Sequence, residues 1–368
     1  MTTSDRVERV RQRLAGQTDA GALLVSDLTN IRWLTGFTGS NGWVVMDQER
    51  LVLVTDGRYG QQAQQQLAAA GVQADVLVGA SGAETTAHLA GATGGYRSVA
   101  FEGAHVSFQQ HASWVALFAA TLVPTSGIIE AERRVKDAGE IAVIAEACRI
   151  ADRALAEVAP RLGDGFTEAQ VRNLLEVRMR ELGAVGPSYE TIVATGPVNS
   201  ALPHHRPSDT LIEVGHTVII DVGALVDGYH SDMTRSFVIG EPTALQRELY
   251  DLVSAAQAAG LAAVSAGMSV KELDGVCRGI IGGAGYGEWF THGTGHGVGL
   301  LIHEDPFVNR AGDATLQVGD VVTVEPGVYR EGFGGIRIED LVVVTSDGCR
   351  VLTSAPKESP CPPSPPTT

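Results

Sequence analysis

The segment VIIDVGALVDGYHSDMTRSFVI, residues 218–239, decides the fold of the carboxy-terminal part of the chain. Its centre, Asp227-Gly228, is a strong signal for a two-residue turn between two runs rich in β-branched residues. With that dipeptide as the loop, Asp221 faces Thr234 across the hairpin. Because side chains alternate between the two faces of a sheet, Asp232 then becomes the diagonal neighbour of Asp221 on the same face.

A second hairpin is predicted farther along the chain, around the segment EGFGG. A turn centred on Phe333 places Glu339 opposite Gly327 and makes it the diagonal neighbour of Glu325. Pro326 cannot donate a hydrogen bond to a ladder, which predicts an edge or a bulge at that point of the strand. The second hairpin therefore repeats the logic of the first and brings two more carboxylates to one face.

Three histidines, His292, His296 and His303, lie in the glycine-rich run THGTGHGVGLLIHEDP, residues 291–306. His292 and His296 are four residues apart, which is the spacing of a helical zinc pair. The spacer Gly-Thr-Gly disfavours a helix, and the HExxH motif is absent because position 293 is glycine. The run is predicted to be a loop that enters a buried strand, with His296 as the metal ligand.

Four carboxylates and one imidazole that converge would hold two divalent cations, an arrangement that activates water. Taken singly, each carboxylate is equally well explained as a cap, a turn residue or an outward-facing strand residue. All four lie among apolar, β-branched neighbours, where a buried carboxylate without a partner is costly. The sequence therefore predicts a two-metal centre formed by Asp221, Asp232, His296, Glu325 and Glu339.

Two further histidines, His204 and His303, lie near the proposed metal segments and are predicted to belong to the site. The remaining histidines of this region are interpreted as ordinary hydrogen-bonded residues, and these are His205, His216 and His230. The glycine-rich runs do not fit the pattern GxGxxG, and no GKS or GKT occurs. Dinucleotide sites and phosphate loops are therefore excluded.

Across roughly residues 135–355, the order and spacing of these motifs resemble the metal-dependent peptidase family of the pita-bread fold. That family includes aminopeptidase P, prolidase, methionine aminopeptidase and creatinase. The resemblance implies an α+β protein, with a creatinase-type α/β domain at the amino terminus. A catalytic domain of pseudo-two-fold α2β architecture would follow it.

The resemblance also assigns a role to each predicted ligand. Asp221 would chelate one metal ion, His296 with Glu325 would hold the other, and Asp232 and Glu339 would bridge both. Glu325 also matches the residue that takes the proton of the attacking water and passes it to the leaving nitrogen. The oxygen-rich ligand set favours Mn²⁺, with Co²⁺ or Zn²⁺ as alternatives.

Other residues match positions that contact substrate in the family. His204 and His303 match groups that contact the substrate and the developing oxyanion. Arg337 matches a substrate-orienting arginine, and Tyr329 falls at a position that lines the site. His292 completes the predicted substrate-binding set.

Residues 26–59, SDLTNIRWLTGFTGSNGWVVMDQERLVLVTDGRY, resemble the creatinase-type domain of the proline-specific members. Methionine aminopeptidases lack this domain, and creatinase lacks the metal ligands. The resemblance thus implies a short prokaryotic aminopeptidase P, which removes a residue before a penultimate proline by attack of a metal-bridging hydroxide. The alternatives are a prolidase, a metal hydrolase of a small non-peptide amide, and a non-catalytic binding protein on the same fold.

A length of 368 residues predicts two domains, placed at residues 1–130 and 131–355. The Pro/Ser-rich stretch at residues 356–368 is predicted to be a disordered tail. A net charge of −16 argues against nucleic acid or an anionic membrane as a partner. The predicted partners are therefore proline-containing peptides and, from the resemblance, a second copy of the chain in a homodimer.

A cytoplasmic location is expected, because the amino terminus is an amphipathic charged helix rather than a signal peptide. No apolar run approaches the length of a membrane span. The four cysteines show no paired spacing, which fits a reducing compartment.

The first 130 residues alternate predicted strands and helices, which indicates an α/β layer. Beyond a linker at residues 128–138, two helix pairs each precede one of the hairpins, which indicates an internal duplication with the metals on the open face. The predicted strands of the first domain are residues 21–26, 43–47, 51–55, 73–78 and 97–101. The predicted helices are residues 5–15, 57–70, 82–92, 107–119, 138–159, 167–183, 243–260 and 269–283.

Overall fold

The computed structural model describes residues 3–363. The chain divides into two compact units, with the boundary between Arg133 and Arg134. Among the helices of the described residues, none combines the length and apolar character needed to cross a membrane.

The amino-terminal unit alternates helices and strands, as the sequence predicts. In chain order its elements are α1 (Thr3–Gln17), β1 (Ala22–Val25), α2 (Leu28–Thr35), β2 (Gly42–Met46), β3 (Leu51–Asp56), α3 (Gly60–Ala70), β4 (Asp75–Gly79), α4 (Gly82–Thr93), β5 (Ser98–Glu102), α5 (Phe108–Leu117), β6 (Thr121–Thr125) and α6 (Glu130–Arg134).

These six strands form one mixed sheet in the order β4-β3-β2-β1-β5-β6. α2 and β6 were not predicted from the sequence, and α6 lies inside the predicted linker. α2 spans 8 residues, with Asp27 as its N-cap and Gly36 in the left-handed region at its end, so it is too short to show a clear apolar period. β6 contains Pro124 and lies at the edge of the sheet, where a missing N–H is tolerated.

The carboxy-terminal unit contains two helix pairs, each followed by hairpin strands. Its first half comprises α7 (Ala138–Val158), α8 (Glu168–Glu181), β7 (Gly186–Pro187), β8 (Ile192–Thr195), α9 (Gly196–Asn199), β9 (Thr217–Asp221), β10 (Ala224–Val226), β11 (Tyr229–His230) and β12 (Thr234–Val238). Its second half comprises α10 (Ala244–Ala263), α11 (Val270–Gly283), β13 (Gly295–Gly297), β14 (Glu304–Val308), β15 (Val321–Val324), β16 (Gly327–Arg330), β17 (Gly334–Arg337), β18 (Asp340–Thr345) and β19 (Gly348–Val351).

The starts of the long helices follow from their caps. Thr167 and Ser269 both form the predicted capping boxes, in which the cap hydroxyl and a side chain three residues later satisfy free backbone N–H groups. Asp137 and Thr243 form two more capping boxes at the starts of α7 and α10. Each helix pair packs on the strands of its own half, and the two halves have separate apolar clusters.

The first hairpin has the predicted register. Asp227 and Gly228 both have positive φ values, 43° and 73°, as a tight two-residue turn of this type requires. Asp221 pairs with Thr234 between β9 and β12. The prediction that placed Asp221 and Asp232 on one face is therefore confirmed by the pairing.

The second hairpin exists, but its predicted register is wrong by two positions. Gly327 pairs with Arg337, and Val324 pairs with Asp340, so Glu325 and Glu339 lie directly opposite one another. The turn is centred on Gly332, which has a φ of 83°, rather than on Phe333. A shift of two leaves every side chain on its predicted face, because the period of a strand is two.

Pro326 interrupts the strand, as expected, because β15 ends at Val324 and β16 begins at Gly327. Part of the predicted tail at residues 356–368 contacts the rest of the carboxy-terminal unit. The Tyr250 hydroxyl contacts the carbonyl oxygens of Lys357 and Ser359, each at 3.1 Å. Residues 364–368 of that predicted tail lie outside the described residues.

Candidate metal centre

The first hairpin brings two carboxylates to one hydroxyl group. Asp221 ends β9, and Asp232 follows β11. The Tyr189 hydroxyl lies 2.6 Å from Oδ1 of Asp232 and also contacts Oδ1 of Asp221. Both aspartates therefore point to the same side of the hairpin, next to a phenol that fixes their orientation.

The second hairpin adjoins the first through a threonine. The Glu339 amide donates to the Thr234 carbonyl oxygen at 3.1 Å, and the Thr234 hydroxyl donates to Oε2 of Glu339 at 2.8 Å. Glu325 lies opposite Glu339 and accepts a hydrogen bond from the Thr323 hydroxyl at 3.2 Å. All four predicted carboxylates consequently face one region of the carboxy-terminal unit.

His296 reaches the same region from β13. Its Nδ1 lies 3.1 Å from the Gly297 carbonyl oxygen, to which it donates, so Nε2 is left with a free lone pair. That Nε2 lies 3.5 Å from Oδ2 of Asp232 and 3.6 Å from Oε1 of Glu325. A backbone carbonyl that fixes the ring through one nitrogen while the other faces carboxylates is the usual arrangement of a metal-ligating histidine.

The donor set fits divalent cations. Ligand atoms of Asp232, His296 and Glu339 all lie within 4.8 Å of one another, and the three residues are buried. Burial raises the pKa of Asp232 and of Glu339 well above the usual range, and neighbouring carboxylates add to the effect. Buried carboxylates that repel each other are costly unless cations compensate them, so the chemistry of the cluster favours a metal site.

Arg337 is committed mainly to the protein itself. Its guanidinium donates to the Thr234 hydroxyl at 3.0 Å, the Pro203 carbonyl at 3.0 Å, the Tyr329 hydroxyl at 2.7 Å and Oδ2 of Asp221 at 2.6 Å. These bonds use four of its five N–H groups. Arg337 lines the cleft with one donor remaining, and it links the two hairpins.

Tyr329 and His292 are also engaged. The Tyr329 hydroxyl accepts from Arg337 and lies 3.0 Å from Nε2 of His292, to which it donates. Nδ1 of His292 lies 2.7 Å from the Gly293 carbonyl oxygen. Tyr329 and His292 therefore hold each other in place, and His292 lines the cleft.

His204 and His303 differ from the other predicted substrate-binding residues. Among the described residues, neither ring has a hydrogen-bond partner, and both line the same cleft as the ligands, which has a volume of about 490 Å³. The His303 ring lies edge-on to His296, with centroids 4.3 Å apart. Burial is the main cause that lowers the pKa of His303, and His296 adds to it, which favours a neutral imidazole.

The three histidines interpreted as ordinary residues are hydrogen-bonded, as predicted. His205 contacts Glu168 at 2.9 Å, His216 lies 3.3 Å from the Thr195 hydroxyl, and His230 lies 2.8 Å from the Ser188 hydroxyl. None of the three lines the cleft that holds the ligands.

Sequence reasoning missed three residues that hold the carboxylates. Tyr189 contacts both aspartates, Thr234 contacts Glu339, and Thr323 contacts Glu325. The two threonines could have been found, because the predicted registers place them beside ligands. Tyr189 lies 32 residues before Asp221, and no local pattern links the two.

Two family models match the chain. The family model described as "Metallopeptidase family M24" matches residues 142–346, and the model described as "Creatinase/Prolidase N-terminal domain" matches residues 6–135. An "Uncharacterized peptidase YqhT" of Bacillus subtilis is 40% identical over 96% of this chain and 99% of its own length.

Two solved structures are similar over nearly the whole chain. A "Xaa-Pro dipeptidase" from Bacillus anthracis has a TM-score of 0.92 and 36% identity, covering 97% of this chain and 99% of the other. An "X-Pro aminopeptidase" from Thermotoga maritima has a TM-score of 0.86 and 35% identity, covering 95% of this chain and 98% of the other.

Proposed function

The chain belongs to metallopeptidase family M24, and from this membership we propose that it is a metallo-exopeptidase that hydrolyses the bond before proline in Xaa-Pro peptides. The observation that carries the proposal is the convergence of four carboxylates and His296 on one cleft. The same cleft presents the imidazoles of His204 and His303, neither of which has a hydrogen-bond partner in the part of the chain that the structure describes. The creatinase/prolidase type of the amino-terminal domain supports the preference for proline.

We propose that the site holds two divalent cations, with Mn²⁺ as the expected metal. Asp221, Asp232, His296, Glu325 and Glu339 would hold these ions. The oxygen-rich donor set supports Mn²⁺ over metals that prefer nitrogen or sulfur. When bound, the ions would supply a water that ionises near neutral pH and would polarise the scissile carbonyl.

The residues of the chain then divide the remaining work. Glu325 lies in the cluster, where desolvation raises the pKa of its carboxyl group. A raised pKa suits a carboxylate that accepts the proton of the attacking water and returns it to the leaving nitrogen. The neutral His303 can donate a hydrogen bond to the carbonyl oxygen as negative charge develops there.

The cleft wall supports a proline ring as the leaving residue. Ile192, Ile302 and Phe307 line the cleft together with the ligands. An imide nitrogen of proline offers no N–H, so it needs no acceptor from the wall. His204, on the loop between α9 and β9, would orient the substrate through its ring nitrogens.

The charge of the cleft favours an aminopeptidase P over a dipeptidase. Among the described residues that line the cleft, Arg337 is the only arginine or lysine, and four of its five N–H groups are used by the protein. A dipeptide would place a free carboxylate next to proline, where a strong cationic partner is needed. In a longer peptide the free carboxylate is farther along the chain and lies outside the cleft. The dipeptidase remains the second candidate, because the more similar of the two solved structures has that name.

The test compares Ala-Pro with Ala-Pro-Ala on the Mn²⁺-loaded protein. We expect Ala-Pro-Ala to be cleaved. Ala-Pro should be cleaved with a kcat/KM at least tenfold lower, or not at all. Preference for the dipeptide would assign a prolidase instead. Failure to cleave any Xaa-Pro peptide, with full metal occupancy, would contradict the proposal and favour a binding protein or a different amide substrate.

The proposal also includes a homodimer in the cytoplasm. The four cysteines are all free thiols, two of them buried, which supports a reducing compartment. Sedimentation at micromolar concentration tests the dimer, and a monomer alone would contradict it.

A further inference from the structure

The loop that carries His204 connects β8 to β9, and its tip is exposed. Its first limb is fixed by Ser200, whose hydroxyl lies 2.9 Å from the Thr217 hydroxyl and accepts from the Gly335 amide at 3.0 Å. At the tip, the Pro203 carbonyl accepts from Arg337 at 3.0 Å. The His204 ring therefore projects from a short exposed turn whose base is anchored.

A single buried carboxylate, Glu168, holds both limbs of this loop. Its Oε1 accepts from the Thr195 amide at 2.7 Å and the Asn199 side chain at 3.0 Å. Its Oε2 accepts from His205 at 2.9 Å, and from the Ser208 amide and hydroxyl at 2.9 and 2.7 Å. Glu168 is fully buried in the first turn of α8, so these five bonds replace water completely.

The arrangement has a geometric consequence for the site. One oxygen of Glu168 holds the limb before His204, and the other holds the limb after it. His205 is bonded to Glu168 directly, and His204 is its neighbour in the chain. The His204 imidazole, which has no hydrogen-bond partner of its own among the described residues, therefore depends for its place on the backbone, which Glu168 holds on both sides of it and Arg337 holds at Pro203.

We propose that Glu168 is a positioning residue for His204: it fixes the imidazole in the cleft without touching the substrate. This inference rests on the proposed Xaa-Pro peptidase activity. A purely structural role for Glu168 would instead lower stability and activity independently of His204. The two roles differ in how the effects of two substitutions combine.

The experiment is a double-mutant cycle on the Mn²⁺-loaded protein, with kcat and KM measured on Ala-Pro-Ala. The variants are Glu168→Gln, His204→Ala and the pair together. The amide of Glu168→Gln would turn N–H groups toward the donors of one limb. We expect each single variant to lose on the order of 10- to 100-fold in kcat/KM, since small displacements of positioning groups cost that much. We expect the double variant to lose no more than His204→Ala alone.

Three further measurements keep the cycle decisive. Glu176→Gln, about two turns farther along α8, is the matched control and should leave kcat/KM unchanged. Mn²⁺ titration of the metal-free protein should be the same for Glu168→Gln as for the wild type. If Glu168→Gln does not fold, His205→Ala removes one of the five donors and should show a smaller loss that is also non-additive with His204→Ala.

The outcomes separate this inference from the proposed function. If the wild type is active, two outcomes would overturn the positioning role alone. These are additive losses of kcat/KM in the double variant and unchanged kinetics in Glu168→Gln. A weakened Mn²⁺ affinity in Glu168→Gln would also overturn it, because the effect would then pass through the metal centre. No hydrolysis by the wild type would overturn the proposed function and this inference with it.

Discussion

The buried Arg337 and the half-buried Asp221 form an ion pair with an N–O distance of 2.6 Å, although they come from different hairpins. The same guanidinium reaches the Pro203 carbonyl on the loop that carries His204. One side chain thus joins a predicted metal ligand to a substrate-facing loop.

Replacing Arg337 with methionine should destabilise the metal-free protein by about 2–4 kcal/mol, because the half-buried Asp221 is left without its counter-charge. Urea unfolding in the presence of a chelator measures this change. Arg337→Lys keeps the charge but loses the forked geometry, so it should recover part of the stability. Equal stability of Arg337→Met and the wild type would contradict the structural role of the ion pair.

Asp232→Asn and Glu339→Gln should each abolish hydrolysis and lower the bound metal per chain, since each removes a charged oxygen from the proposed bridge between two ions. Elemental analysis of purified protein and turnover of Ala-Pro-Ala are the two measurements. Glu331→Gln, on the exposed turn of the second hairpin, is the matched control. Full turnover in either ligand variant would be incompatible with a bridging role.

Tyr189→Phe should weaken metal binding by about 10- to 100-fold, which is typical when a group that orients metal ligands is removed. The hydroxyl contacts both Asp221 and Asp232, so its loss frees both carboxylates. Titration of the metal-free protein with Mn²⁺ gives the affinity. Tyr286→Phe removes a hydroxyl that bonds the exposed Glu248 and should change nothing. The orienting role fails if both variants bind Mn²⁺ as the wild type does.

Lys357→Met should lower stability at neutral pH by roughly 1–2 kcal/mol, with a smaller difference near pH 2. Burial raises the pKa of Asp340, but the charges of Arg235 and Lys357 outweigh it and hold that pKa at about 2. A folded pKa below the unfolded value of about 3.9 stabilises the protein above pH 4, and this stabilisation is lost as the pH falls toward 2.

Urea unfolding at pH 7, 4 and 2.5 gives the pH dependence for Lys357→Met. The exposed Lys271→Met serves as its control. A constant difference between Lys357→Met and the wild type across this range would exclude the coupling to Asp340.

The first hairpin could be predicted from sequence because one dipeptide admits only one tight turn. Asp227 and Gly228 both adopt positive φ, and the pairing of Asp221 with Thr234 follows by counting. The second turn could not be read in this way. Gly332 and Gly334 both have positive φ and Gly335 follows directly, so several loops fit the same residues.

Long-range hydrogen bonds were beyond the sequence for a different reason. Arg337 was predicted to orient substrate, but partners from three distant segments occupy most of its donors, and no spacing rule connects them. The composition of the last residues likewise gave no indication that Lys357 makes an ion pair with Asp340. Local composition indicates how ordered a segment would be in isolation. It does not include contacts with a buried charge elsewhere in the chain.

The donors of the metal centre are distributed over both halves of the carboxy-terminal unit, with Asp221 and Asp232 in the first and Glu325 and Glu339 in the second. A chain that stops after β14 would therefore carry the two aspartates and His296 without Glu325 and Glu339. Binding of metal ions at the proposed site would then require that both halves have been synthesised and have packed together.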